Sequence, residues 1–385
     1  MINDNQHIPT GYKPSPLGPI PEDWEVKRLG EICTHFKSGI TITSKDIHDD
    51  GLYPVYGGNG LRGFANTYTH DGNYILIGRQ GALCGNINYI EGKNYISEHA
   101  IAVQTKENMQ WLKYKLVNWN LNRFSESSAQ PGLSVEKLVR YKLFIPTRFE
   151  QNKIAEILSL WDTAIAKQTA LIEKLTLLKR GLMQQLLTGK KRLKGFSGKW
   201  KEVRLGEVFD ERNETNCDSL PLLSITGDKG VIYQSESDKR DISNEDKSKY
   251  KRICPNDIGY NTMRMWQGRS ALSGLEGIVS PAYTIVTPKD NVDVRFMAML
   301  VHQPRIVYGF WTHSQGLVSD TLNCKYPDFC QVKVVIPSKE EQTAVADFFV
   351  EIDKEIELAN KKLARLQEQK KGLMQVLLTG KRRVK

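Results

Sequence analysis

The chain contains one unit twice. Residues 181–192 read GLMQQLLTGKKR and residues 372–383 read GLMQVLLTGKRR, identical at ten of twelve positions with an offset of 191. The same offset lays Ile145-Pro146 on Ile336-Pro337, Glu150-Gln151 on Glu341-Gln342, and Asp162 on Asp353. Upstream, WEVKRLGE from Trp24 matches WKEVRLGE from Trp200 at an offset of 176, so the middle of the second copy is 15 residues longer. Solenoid units run ~20–50 residues. A period this long is a duplicated domain with its linker.

Each copy ends in a long helix. Positions 154, 158, 161, 165, 168, 172, 175, 179, 182 and 186 are apolar except Gln168 and Lys179. The positions 191 further on are apolar except Lys370. Steps alternating four and three make an a/d seam of about five heptads, written twice. Pro146 and Pro337 stand where a helix can begin but not extend backward. About 38 residues at ~1.5 Å each give helices of roughly 57 Å. A lone helix cannot bury such a stripe. If the copies are related by a pseudo-twofold axis, the two helices pair antiparallel within the chain. The other solutions are packing of each seam on its own domain, or homodimerisation.

Before each helix lies a segment of short strands between Gly, Asn and Asp turns, with strands expected at Tyr74–Ile77, Ile101–Val103, Ile285–Val286 and Val332–Ile336. Short apolar helices are expected at Trp111–Phe124 and Arg295–Tyr308. The fold class is therefore mixed α/β: two pseudo-symmetric domains joined by two long antiparallel coiled-coil helices. The division is a lead-in segment 1–20, a first domain 21–146, a first helix 147–190, a second domain 191–337 and a second helix with a basic tail 338–385. A basic linker covers 189–204. Ser128-Ala129-Gln130-Pro131-Gly132 and Ser314-Gln315-Gly316 read as structural turns, and Trp24, Trp200, Leu29 and Leu205 as core.

Catalytic motifs are missing. No Walker A loop, nucleophile elbow, HExxH, amino-methyltransferase motif pair or zinc-deaminase spacing occurs. Pro327-Asp328 with Gln331-Val332-Lys333 mimics a nuclease pattern, but the gap is too short to place two metal ligands on separate strands. The six cysteines form no CxxC pair and the seven histidines add no zinc spacing. They read as reduced thiols with no metal, as in the cytoplasm. No run approaches the ~18 apolar residues of a membrane span, and the first residues show no secretion signal. Binding is the expected activity, not catalysis.

The net charge of +10 permits an anionic partner. Residues 148–194 carry 10 basic and 4 acidic side chains, and residues 339–385 carry 11 and 8, so nearly all of the excess lies on the helices and their ends. Clusters at Lys179 to Lys194 and Lys370 to Lys385 suit phosphates or an acidic partner.

With GLMQ-x-LLTGK closing both helices, the chain resembles the DNA-specificity subunit of type I restriction-modification systems. SPLGPIPEDWEVKRLGEI resembles that family's opening segment. YPVYGGNGLRGF, ILIGRQGALCGN and SEHAIAV in the first domain, and DIGYNTMRMWQG and GIVSPAYTIV in the second, resemble two classes of its target-recognition domains. The resemblance implies a non-catalytic subunit. Each recognition domain would read one half of a split double-stranded DNA target, and the helix pair would set the gap. Two modification subunits would bring S-adenosylmethionine, and two restriction subunits would use ATP and magnesium. Unlike domains imply unlike half-sites. The remaining reading is a stand-alone coiled-coil DNA-binding scaffold or regulator.

Base edges are read best by Arg on guanine and by Asn or Gln on adenine. In the first domain the Gly-rich loops offer Asn59, Arg62, Arg79, Gln80 and Asn86. In the second, Asn261, Arg264, Gln267 and Arg269 are candidates, with Trp266 and Tyr283 as apolar or stacking contacts. The competing role for each is a phosphate contact or a loop-holding hydrogen bond. Arg79 and Arg264 lead the set.

Overall fold

The structure is a computed structural model that describes residues 8–81, 83–125, 132–227, 229–237, 244–316 and 321–384. Two compact units divide it. The first comprises residues 1–170 with 361–385, and the second residues 171–360. Each unit thus takes a globular domain, the near half of the helix that follows it, and the far half of the other helix.

In the first unit, Cys33–Ser38, Ala100–Thr105, Tyr74–Gly78 and Ile87–Ile90 form an antiparallel sheet in that order. Its inner strands are apolar over Tyr74–Gly78 and Ala100–Val103, as suits strands covered on both faces. A second sheet orders Gly60–Ala65, Tyr53–Gly57, Lys93–Ile96 and His70–Asp71. In the second unit the antiparallel sheet orders Phe209–Arg212, Tyr283–Pro288, Ile258–Asn261 and Ser270–Leu272. It is joined by two-stranded ribbons, one pairing Leu223–Ile225 with Val231–Tyr233.

The repeated RLGE word builds the same corner twice. Its leucine and glycine start a one-turn helix, Leu29–Ile32 or Leu205–Val208, whose glutamate accepts the backbone N–H of Arg28 or Arg204. A Cβ on Gly30 would stand 3.0 Å from the Cβ of Val139, and one on Gly206 would stand 2.8 Å from that of Cys330. The closing segment of each domain crosses there, so glycine is required for close approach rather than for φ.

The repeated Glu-Gln is buried in both copies. Gln151 Oε1 accepts the N–H of Asn108, and Gln342 Oε1 accepts that of Asp293. Their amides donate to the carbonyls of Pro146 and Pro337, 3.0 Å each. This satisfies backbone groups that the entering chain would leave bare. The glutamates meet the far helix's tail: Glu150 binds Arg383 and the Trp24 indole, and Glu341 takes a bidentate Arg192. Part of the basic tail expected to face phosphate is therefore spent on internal pairing.

The long helices run Arg148–Leu186 and Lys339–Leu377. Ile154 and Leu158 join the first domain's core together with Met374, Leu377 and Leu378 of the second helix. Val345, Phe349 and Ile352 join the second domain's core with Leu186 and Leu187 of the first. Each fully buried leucine or isoleucine contributes ~1.5–3 kcal/mol. Pairing within the chain and packing on the domains therefore both occur. Asp162 pairs with Lys370 in one unit and Lys179 with Asp353 in the other, and such a descending register is antiparallel.

Two expectations change. The helix expected over Arg295–Tyr308 is two helices, Val294–Leu300 and Pro304–His313. Pro304 has no N–H for a continuing ladder and holds Gln303 extended, so the second helix restarts with proline in its first turn. In the first domain the helix expected to Phe124 ends at Trp119, where Asn120 turns left-handed, and a 3-10 turn covers Leu121–Phe124. Residues 128–131 of the first predicted turn lie outside the described residues. In the second, Gln315 exchanges backbone hydrogen bonds with Asn323.

Candidate nucleic-acid interface

In the first domain the five candidates gather on loops around Gly58 and Gly78. Asn59 sits in the turn between Tyr53–Gly57 and Gly60–Ala65, and Arg62 on the returning strand; both are exposed. The stem of Arg62 lies over Gly57, whose added Cβ would stand 2.6 Å from Arg62 Cδ. The strand Tyr74–Gly78 then delivers Arg79, Gln80 and Asn86. A Cβ on Gly78 would stand 2.7 Å from the Gly58 carbonyl, so the two loops touch backbone to backbone. Arg79 donates its N–H to His99 and accepts Leu133 N–H at its carbonyl, 2.9 Å each. That pins the backbone and leaves the guanidinium, among the described residues, with no carboxylate partner. Gln80 Oε1 lies 3.3 Å from His99 Nδ1. His99 is a member of this cluster that sequence reasoning passed over, although it lies in the quoted SEHAIAV.

In the second domain, Asn261, Arg264, Gln267, Arg269 and Tyr283 line one cleft of about 630 Å³. The strand Ile258–Asn261 ends in a turn, Arg264 opens the 3-10 turn Met265–Gln267, and Gly268 reverses the chain at φ 75° into Ser270–Leu272. A side chain at Gly268 would be strained and would meet Val307 at 3.0 Å. Trp266 is not on the cleft; its indole donates to the Met263 carbonyl and holds the turn. The Tyr283 hydroxyl reaches the Ile225 carbonyl, and burial pushes its pKa up. The far wall, missed from sequence, is the ribbon of Leu223–Ile225 and Val231–Tyr233 with Thr226, Gly227 and Lys229 at its turn. The word Thr-Gly-Asp-Lys-Gly was the available signal: a tight turn carrying a cation.

Several arginines near the second cluster are neutralised by carboxylates. Arg212 and Arg252 are held by Asp257, Glu214 and Glu276, and Arg295 by Asp293 and Asp347. Arg264 and Arg269 have no carboxylate partner among the described residues. Uncompensated guanidinium groups in a concave site suit an anionic, planar or bidentate ligand. The nuclease mimic is structural: Asp328 accepts the Lys325 N–H and the Gln315 amide. Among the described residues no group of three His, Cys, Asp or Glu side chains could hold a metal ion, and no helix is long and apolar enough to cross a membrane.

Two segments, 21–177 and 197–368, match the family model "Type I restriction modification DNA specificity domain". The chain belongs to this family, and its class is the DNA-specificity subunit of a type I restriction-modification system. Among relatives, it is 43% identical over 143 residues to the EcoprrI specificity subunit of Escherichia coli, a match covering 36% of this chain and 35% of that one. It is 25% identical to the MjaVIII specificity subunit of Methanocaldococcus jannaschii, across 95% of this chain and 94% of that one. Its fold matches the type I S subunit of M. genitalium with a TM-score of 0.58 at 14% identity, covering 92% of this chain and 96% of that one.

Proposed function

We propose that residues 21–146 read one half of a bipartite DNA target and residues 191–337 the other, without catalysis by this chain. The observation that carries this is the duplication itself. Two unlike loop clusters, each with arginines that have no carboxylate partner among the described residues, are built on copies of one scaffold whose helices are exchanged between the units. Asn59, Arg62, Arg79, Gln80 and Asn86 serve the first reader. Asn261, Arg264, Gln267, Arg269 and Tyr283 serve the second, with Trp266 shaping its turn. The helices, 39 residues each, act as the ruler for the unread gap.

Two methyltransferase subunits dock on the helices and supply S-adenosylmethionine chemistry. Two restriction subunits supply ATP- and magnesium-dependent translocation and cleavage. The assembly works in the cytoplasm. Exposed leucines on the helices support docking: Leu160 in the first unit, and Leu171, Leu177, Leu178 and Leu358 in the second. Co-expression with the neighbouring modification subunit tests the assignment: the two chains should co-purify and confer a split adenine-methylation motif. A chain that purifies alone and adds no motif would refute it.

A further inference from the structure

Given a chain that reads DNA as proposed above, we infer that Gly227 is a positioning residue that aims Arg269 at a guanine of the second half-site. Arg269 lies where the 630 Å³ cleft meets a neighbouring one of about 520 Å³, and Gly227, Gln267 and Ser270 border both. Its backbone is fixed from two sides. The Arg269 N–H donates to the Arg264 carbonyl, and its carbonyl accepts the Asn261 N–H. Next to it, the buried Ser270 hydroxyl lies 3.1 Å from His302 Nε2.

With the backbone fixed, the head is set by what lies beneath it. A Cβ on Gly227 would stand 3.0 Å from Arg269 Nη1, so bare backbone is the seat on which the guanidinium rests. Gly227 is not at positive φ, so the turn itself does not demand glycine there. A planar fork resting on bare backbone, with no carboxylate partner among the described residues, matches the paired O6 and N7 acceptors of guanine. A phosphate contact needs charge but no such seat, since lysine serves it equally well.

The test uses the complex of this chain with its methyltransferase partners and a duplex carrying the mapped target. Each guanine of the second half-site is replaced in turn by 7-deazaguanine, which lacks N7. The wild-type complex should bind about tenfold more weakly at one position. Gly227→Ala should abolish that difference, keep every penalty in the first half-site and leave the melting temperature unchanged. Arg269→Ala should lose the discrimination at that same position and keep every penalty in the first half-site. The inference is overturned if Gly227→Ala keeps the penalty, if it weakens all sequences equally, or if the second half-site contains no guanine. A wild-type complex without any sequence preference would instead overturn the DNA-reading assignment, and this inference with it.

Discussion

Lys370 Nζ lies 2.5 Å from Asp162 Oδ1, and the residues 191 positions away from each repeat the pair as Asp353 with Lys179. The two lysines are the charged residues in a seam that is otherwise apolar but for Gln168. Each meets the aspartate that the repeat supplies on the opposite helix, so the interruptions fix register and direction. Lys370 also stands 5.2 Å over the Tyr114 ring, whose hydroxyl donates to Asp162.

Double-mutant cycles should therefore show real coupling. Asp162→Ala with Lys370→Ala should couple by about 0.5–1 kcal/mol, the upper range for partly exposed pairs. Exchanging the two residues should recover most of the loss. A parallel or slipped register would show no coupling and no recovery in urea unfolding.

The same aspartate adds acid sensitivity. Burial works to raise its carboxyl, but the Lys370 ammonium and the Tyr114 hydroxyl outweigh it, so the folded value lies below the ordinary range. The unfolded carboxyl titrates near ~3.9. The contribution is thus complete above that value and is lost as pH falls through the lower folded one. Asp162→Asn should flatten the acid limb of the stability curve, as read by chemical unfolding from pH 5 downward.

Lys115 gives a signal at the other end of the scale. It is buried and donates to the Leu378 carbonyl, 2.7 Å away, at the end of the second long helix. Burial pulls its pKa from 10.5 down to about 8. Between those values the unfolded chain holds the proton and the folded chain has released it, so stability rises with pH over that window. The melting temperature of Lys115→Met should not show that rise, and the difference from wild type should change between pH 8 and 10.

The tail clamp should be separable from DNA contact. Deleting residues 381–385 removes Arg383 and leaves the Glu150 carboxylate, 3% exposed, with the Trp24 indole and the Thr147 hydroxyl as its partners among the described residues. A loss of about 2 kcal/mol is expected, and Glu150→Gln in the truncated chain should restore part of it. Equal stability of full and truncated chains would show that the tail is free.

Much of this arrangement was legible in the sequence because it was written twice. The a/d seam, the RLGE corner and the Glu-Gln joint each recur at a fixed offset, and each proves to be a backbone-satisfying or core element. What stayed hidden depends on contacts between distant segments. Nothing local to Arg192 or Arg383 distinguishes an internal partner of Glu341 or Glu150 from a phosphate ligand. The apolar run before Tyr308 hid the break at Pro304. The ribbon carrying Thr226, Gly227 and Lys229 is brought opposite Arg264 and Arg269 only by the fold. Trp266, read as an apolar or stacking contact, also spends its N–H on its own turn, a bond with no local signal in the sequence.

The most direct measurement is methylome mapping of cells carrying the wild-type chain, Arg79→Ala or Arg264→Ala with the modification subunit. The wild type should give one asymmetric motif with an unread gap. Arg79→Ala should relax one half only and Arg264→Ala only the other, with the gap unchanged. The same half relaxing in both variants, or no motif that depends on this chain, would contradict two independent readers on one duplicated scaffold.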